Sequence, residues 1–221
     1  MDTQLRDLLV SGAEMLGIPL GEEAVLRFSA YLDLIQSWGA RINLTSRLES
    51  RDIVVYHFLD SLSGARWLRD QPGSRVIDLG TGAGLPAIPL KIALPELEVM
   101  MVDGTRKKIA FCQEVLGALG ISGAEAIWGR AEELRREKGH RGRYRWVVCR
   151  AVGQSAEIAS LALPFLDQQG SLLLYKGKPE QRELDDLALF CRRKHALLET
   201  HPVEVPHLVG SRTLLIVRKQ P

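Results

Sequence analysis

The stretch VIDLGTGAGLPAIPL, residues 76–90, decides how the rest of the chain is read. An apolar run ends at Asp78, and Gly80, Gly82 and Gly84 then alternate with small residues. This is the form of a strand turning sharply into a helix, with glycines that let backbone approach a ligand closely. The dinucleotide fingerprint GxGxxG needs a glycine five residues after Gly80, and Leu85 stands there. The spacing is GxGxG with an acid two residues upstream. A carboxylate there can accept hydrogen bonds from an ammonium group. S-adenosylmethionine carries an amino-acid tail and no phosphate, so it suits such a pocket better than a dinucleotide does. A tight turn holding no ligand is the plain alternative.

Outward from this loop the chain alternates strands and helices. Strands are predicted at 76–79, 98–102, 124–128, 146–149, 171–175, 213–217 and, weakly, near 197–200. Helices are predicted at 85–93, 106–119, 155–163 and 179–192. That order predicts an α/β fold with a mostly parallel sheet covered on both faces. Ligands in such sheets sit beyond the carboxyl ends of the strands. Upstream, residues 1–70 read as helical, with Leu5, Leu8 and Leu9, then Val25, Phe28, Leu32 and Ile35, on apolar faces. Residues 52–67 are expected as one further helix. The turn cluster DQPGS at 70–74 suggests two parts, a helical extension (1–70) and a core domain (71–221).

Composition bounds the class. The chain has 221 residues, 46% of them hydrophobic and 25% charged, as in ordinary globular proteins. Cys112, Cys149 and Cys191 form no CxxC pair, so neither a disulfide framework nor a zinc site is expected. The N-terminus MDTQLRDLLV lacks the pattern of a secretion signal. No window approaches the roughly 18 uninterrupted apolar residues of a membrane span. A cytoplasmic protein without metal or membrane partners is expected. Net charge is only +2, yet residues 135–145 and 192–195 are two basic stretches. They suit either solvated surface loops or a polyanion footprint.

The residues after each strand supply the site candidates. Asp103 ends the second strand and can accept ribose hydroxyls. Gly129-Arg130-Ala131-Glu132 follows the third strand, where an adenine ring would be held, or where a helix simply begins. Cys149 and Arg150 end the fourth. Cys149 follows Val148 rather than proline, so core packing suits it better than nucleophilic attack. Arg150 can stack on a base or bind phosphate. No base or nucleophile stands out. That fits a ring nitrogen such as guanine N7, which carries no proton to remove and needs mainly alignment.

These residues carry a resemblance. INLTS (42–46), HFLDSL (57–62), DLGTGAGLPAIPL (78–90), GRAEE (129–133), CRAV (149–152), YKGK (175–178) and GSRTLLIVRK (210–219) resemble the bacterial 16S rRNA 7-methylguanosine methyltransferases, also called glucose-inhibited division protein B. The likeness covers nearly the whole chain. It implies a Rossmann-like class I fold with a seven-stranded sheet, S-adenosylmethionine as cofactor, and methylation of guanine N7 in the 530 loop of 16S rRNA. The partner it implies is 16S rRNA or the small ribosomal subunit, and the protein is expected to act as a monomer.

The pocket candidates are then Asp78, Gly80, Gly82, Gly84, Leu85, Asp103, Gly104, Thr105, Arg130, Ala131, Glu132 and Arg150. Arg150 and Arg130 would position the reacting groups. His57, Asp60, Lys107, Lys108, Arg150, Lys176 and Arg212 would face RNA, although His57 and Asp60 suit a structural hydrogen bond equally. Ala87, Gly104 and Lys108 depart from the family's usual glycine, serine and arginine. Three other functions stay open: a non-enzymatic RNA- or ribosome-binding module, a methyltransferase for another substrate, and a nicotinamide oxidoreductase, which Leu85 argues against.

Overall fold

The computed structural model describes residues 1–71, 73–150 and 153–220. Seven strands form one sheet: β1 (Arg75–Leu79), β2 (Glu98–Asp103), β3 (Ala124–Trp128), β4 (Tyr144–Arg150), β5 (Leu166–Lys176), β6 (Ala196–Val203) and β7 (Arg212–Lys219). The order is β3-β2-β1-β4-β5-β7-β6. Neighbours are parallel except β7, which runs antiparallel to β5 and β6. The fold class and mostly parallel sheet are as expected, and the weak strand near 197–200 is the full-length edge strand β6. Every predicted strand lies within an observed one. The strands run longer because backbone pairing continues past the apolar residues that mark them in sequence.

Ten α-helices complete the described chain: α1 (Thr3–Met15), α2 (Glu22–Gly39), α3 (Ser50–Asp52), α4 (Asp60–Leu62), α5 (Ala65–Arg69), α6 (Ala87–Ala93), α7 (Arg106–Ala118), α8 (Ala131–Leu134), α9 (Ser155–Ala162) and α10 (Gln181–Arg193). Helix α6 begins two residues later than expected. Leu85 and Pro86 belong to the loop, Pro86 occupies the cap position, and Pro89 sits in the first turn. None of the described helices is long and apolar enough to cross a membrane.

The expected helix at 52–67 is broken into pieces. Residues Ile53–Leu59 wind as a π-helix, which a hydrophobic run alone does not reveal. The wider turn has a local consequence. The Asp60 amide reaches back to the Val55 carbonyl rather than to Tyr56, and Arg150 donates to the Tyr56 carbonyl at 3.1 Å. π-Turns concentrate at functional sites for this kind of reason.

Alternate strand residues face two cores, as in any sheet buried on both sides. On one face, Val76, Val99, Met101, Trp146, Val148, Leu173 and Ile216 meet α6, α7 and the N-terminal helices. On the other, Ile77, Leu79, Val102, Val147, Leu172 and Val217 meet α8, α9 and α10. Phe58 of the π-turn lies 4.9 Å from Phe28 and 5.2 Å from Tyr31, ring centre to ring centre, and is fully buried. Residues 1–70 therefore share a core with the sheet. At Gly64 the backbone comes so close to β5 that a Cβ would collide with the Tyr175 hydroxyl.

Truncating Phe58 to alanine removes the ring that joins α2 to the π-turn. Urea unfolding of Phe58→Ala is expected to show a loss of roughly 3–5 kcal/mol. A loss below about 1 kcal/mol would mean the contact is dispensable.

Candidate active site

The loop after β1 is held from below and from the side. Gly80, Gly82 and Gly84 have φ of 75°, 60° and 82°, a region side chains avoid. The amides of Gly80 and Thr81 donate to the Val102 carbonyl at 2.8 and 3.0 Å, tying the ends of β1 and β2 together. The Tyr31 hydroxyl, from α2, donates to the Ala83 carbonyl. Asp103 accepts from the Gly82 amide at 3.0 Å and from the Thr105 amide at 2.8 Å. Both its oxygens keep a free lone-pair direction for a further donor. The Gly129 amide donates to the Asp103 carbonyl at 3.2 Å, which draws the end of β3 into the same cluster.

Asp78 is completely buried beneath this loop. One carboxyl oxygen accepts from the Thr81 hydroxyl at 2.7 Å and the Ala87 amide at 3.3 Å. The other is buried with no partner among the described residues. Burial pushes the Asp78 pKa up to about 7, while the Thr81 and Ala87 hydrogen bonds pull it down. Its folded pKa is thus above its unfolded one. The stabilising effect of the bound proton is complete below the unfolded value and is lost as pH rises through about 7. An unpaired acceptor of this kind fits a cationic group at the loop.

A cavity opens beyond the ends of β4 and β5. Its volume is about 490 Å³, and its walls include Thr45, Arg47, His57, Asp60, Arg150 and Arg212. Asp60, only 4% exposed, accepts from Arg212 Nε at 2.7 Å and from Arg150 at 3.2 Å. Arg47 stacks over the Tyr56 ring at 3.9 Å and pairs with Asp52 at 2.9 Å. His57 Nε2 lies 2.8 Å from the Thr45 hydroxyl. Burial first, then the Arg150 charge, lowers the His57 pKa to about 4, so its ring is neutral at pH 7. Arg150 and Asp78 stand on adjacent strands, with Asp78 in register with Val148. The cavity and the glycine loop are therefore neighbours.

His57, Asp60, Arg150, Lys176 and Arg212 thus meet at one cavity. Lys176 is already committed there, pairing with Glu183 at 2.6 Å and donating to the Gly153 carbonyl. Gly104, Thr105, Arg130 and Glu132 are exposed at the strand ends, and Ala131 is half-buried beside them. Lys107 is exposed and Lys108 half-buried on the first turn of α7, outside the cavity wall. Leu85 is different. Its side chain is 6% exposed and packs in the core, leaving only its backbone at the loop. Ala151 and Val152 of the CRAV segment lie outside the described residues. Cys112 and Cys149 are buried, and burial pushes both thiols well up. Cys149 donates to the Leu79 carbonyl, so core packing is its role here. Among the described residues, no cluster of His, Cys, Asp or Glu could hold a metal.

Several contributors escape a reading of the sequence. Tyr31 looks like an apolar-face residue of α2, yet its hydroxyl supports the loop. Thr45 and Arg47 lie in the INLTSR stretch, which marks the region without revealing its bonds. Trp128 is 54% exposed at the end of β3, donates to the Gly104 carbonyl at 3.0 Å and lies under Arg106 at 4.1 Å. An aromatic residue immediately before Gly129 was the available signal.

Sheet order, glycine loop and acidic strand ends together define a Rossmann-like methyltransferase fold. A SAM-dependent methyltransferase from Aquifex aeolicus superposes with a TM-score of 0.55 at 14% identity, over 76% of this chain and 92% of that one. The profile of the family described as rRNA small subunit methyltransferase G (GidB) matches residues 25–215. Proteins named ribosomal RNA small subunit methyltransferase G are 39% identical in Deinococcus deserti, over 99% of this chain and 90% of that protein, and 35% identical in Pelotomaculum thermopropionicum, over 97% and 90%. The chain belongs to the rRNA small subunit methyltransferase G family.

Proposed function

We propose that this chain transfers the methyl group of S-adenosylmethionine to N7 of a guanosine in the 530 loop of 16S rRNA. The observation that carries this reading is the adjacency of the glycine loop, with its unpaired Asp78 oxygen, to a cavity walled by Arg150, Arg212 and neutral His57. When bound, the cofactor supplies an electrophilic methyl on a sulfonium. The residues that would hold it are Asp78, for the ammonium end, Asp103, for the ribose, and the exposed backbone at Gly104, Arg130 and Ala131.

The chain's own part is alignment. Guanine N7 offers a lone pair and no proton, so no general base is required, and fixing the acceptor against the loop supplies the rate. Arg150 and Arg212 present guanidinium groups suited to phosphate or to stacking on a base. Asp60 holds them in place and balances part of their charge. Methyl transfer leaves the acceptor ring positively charged. A neutral His57 avoids adding to that charge. The partner in this reading is 16S rRNA or the small subunit, reached in the cytoplasm by a monomer without metal.

Two outcomes are expected. Incubating the protein with labelled cofactor and small-subunit rRNA lacking the modification should place label at 7-methylguanosine. Label absent from rRNA, with cofactor bound normally, would leave only a binding module. Separately, a bound cation favours the ionised form of Asp78. At pH 6, cofactor binding should therefore expel a large fraction of one proton. Calorimetry in two buffers of different ionisation enthalpy measures this, and Asp78→Asn should abolish it. Binding without proton release in the unaltered protein would remove Asp78 from the cofactor's surroundings.

A further inference from the structure

The two basic stretches both lie at the end of the sheet where β4 and β6 begin, opposite the active site. Residues 135–143 run from α8 down to the start of β4, where the Gly142 and Arg143 amides donate to the Pro164 and Phe165 carbonyls, each at 2.9 Å. Residues 192–195 lie between α10 and the start of β6. Helices α8 and α10 pack on the same face of the sheet. Between the two stretches, Lys219 ends β7 and donates to the Leu166 carbonyl at 2.8 Å.

The charges on this rim are largely uncompensated. Arg136, Lys138, Arg141, Arg143, Arg192, Arg193 and Lys194 are exposed, and none forms an ion pair among the described residues. Within 135–143 the single acid is Glu137, 3.8 Å from His140. The loop is nonetheless fixed. Leu134 anchors one end in the core, and His140 stacks parallel to buried Tyr144 and bonds its hydroxyl at 2.8 Å. It carries no exposed large apolar side chain, so it lacks the centre a protein interface needs. A fixed loop rich in cations, with one acid, Glu137, and no exposed large apolar side chain, suits a phosphate backbone.

Strand β4 separates this rim from the acceptor cavity. Six residue steps from Tyr144 to Arg150 span roughly 20 Å. A nucleotide seated in the cavity cannot touch the rim, whereas another segment of a large folded RNA can. The two stretches themselves lie three strands apart, about 14 Å.

We propose that residues 135–143 and 192–195 together grip the phosphate backbone of a second rRNA segment, remote from the methylated nucleotide. This contact rests on the rRNA reading above and extends it. It contributes affinity and orientation without base specificity, and only RNA long enough to reach both edges benefits.

Steady-state methylation tests it with three substrates: deproteinised full-length small-subunit rRNA, intact small subunits, and a short hairpin carrying the acceptor guanosine. The variants are R135Q/R136Q/K138Q/R141Q/R143Q and R192Q/R193Q/K194Q, none of which alters the active site. For full-length rRNA, KM should rise about tenfold with kcat unchanged, and its dependence on salt should become shallower. The preference for full-length rRNA over hairpin should shrink, cofactor affinity should stay constant, and lysine at the arginine positions should restore most of the loss.

An unchanged KM for full-length rRNA in folded variants would overturn the proposal. So would an equal rise for hairpin and full-length RNA, which would place the effect at the acceptor site. A defect confined to intact subunits would assign the rim to a ribosomal protein instead. Failure of the unaltered protein to methylate any RNA would refute the proposed function, a distinguishable result.

Discussion

One buried carboxylate, Asp60, holds together the cavity beyond the ends of β4 and β5. It receives Arg150 from the end of β4 and Arg212 from the start of β7 while itself belonging to the N-terminal helices. Taking three charges out of water is costly, and the cost is recovered only while the geometry is kept. The π-turn before Asp60 serves the same end by leaving the Tyr56 carbonyl to Arg150. Helices, parallel strands and the antiparallel β7 are thereby fixed around one cavity.

The N-terminal helices support the glycine loop and the sheet as well. Tyr31 of α2 holds the Ala83 carbonyl, Trp38 donates to Glu114 of α7 at 2.9 Å, and Tyr175 of β5 donates to the Ser61 carbonyl at 2.8 Å. A loop with three left-handed glycines would be mobile alone. Here its carbonyls and amides are held by α2, β2 and Asp103. The proposed alignment of methyl donor and acceptor depends on both supports, because proximity catalysis is lost with small displacements.

Much of this was legible in sequence. Apolar runs marked the central strands, which are buried on both faces, whereas the half-exposed edge strand β6 left only a weak signal. The glycine spacing marked the sharp turn after β1, because its positive φ angles need glycine locally. Contacts made across the fold were not legible. Asp60 meets partners 90 and 152 residues away, and periodicity carries no such information. The π-turn escaped because its residues suit any buried helix. Lys176 looked free for RNA, yet Glu183 from α10 claims it. Leu85 belongs to a motif of ligand-facing residues, but its own side chain turns into the core.

The central claim is that Asp60 assembles an acceptor site separate from the cofactor loop. The most direct test compares cofactor affinity with the methyl-transfer rate in Asp60→Asn, at a temperature where the variant remains folded. The account predicts near-normal cofactor affinity and a rate onto rRNA lowered roughly hundredfold. A rate close to that of the unaltered protein would contradict it.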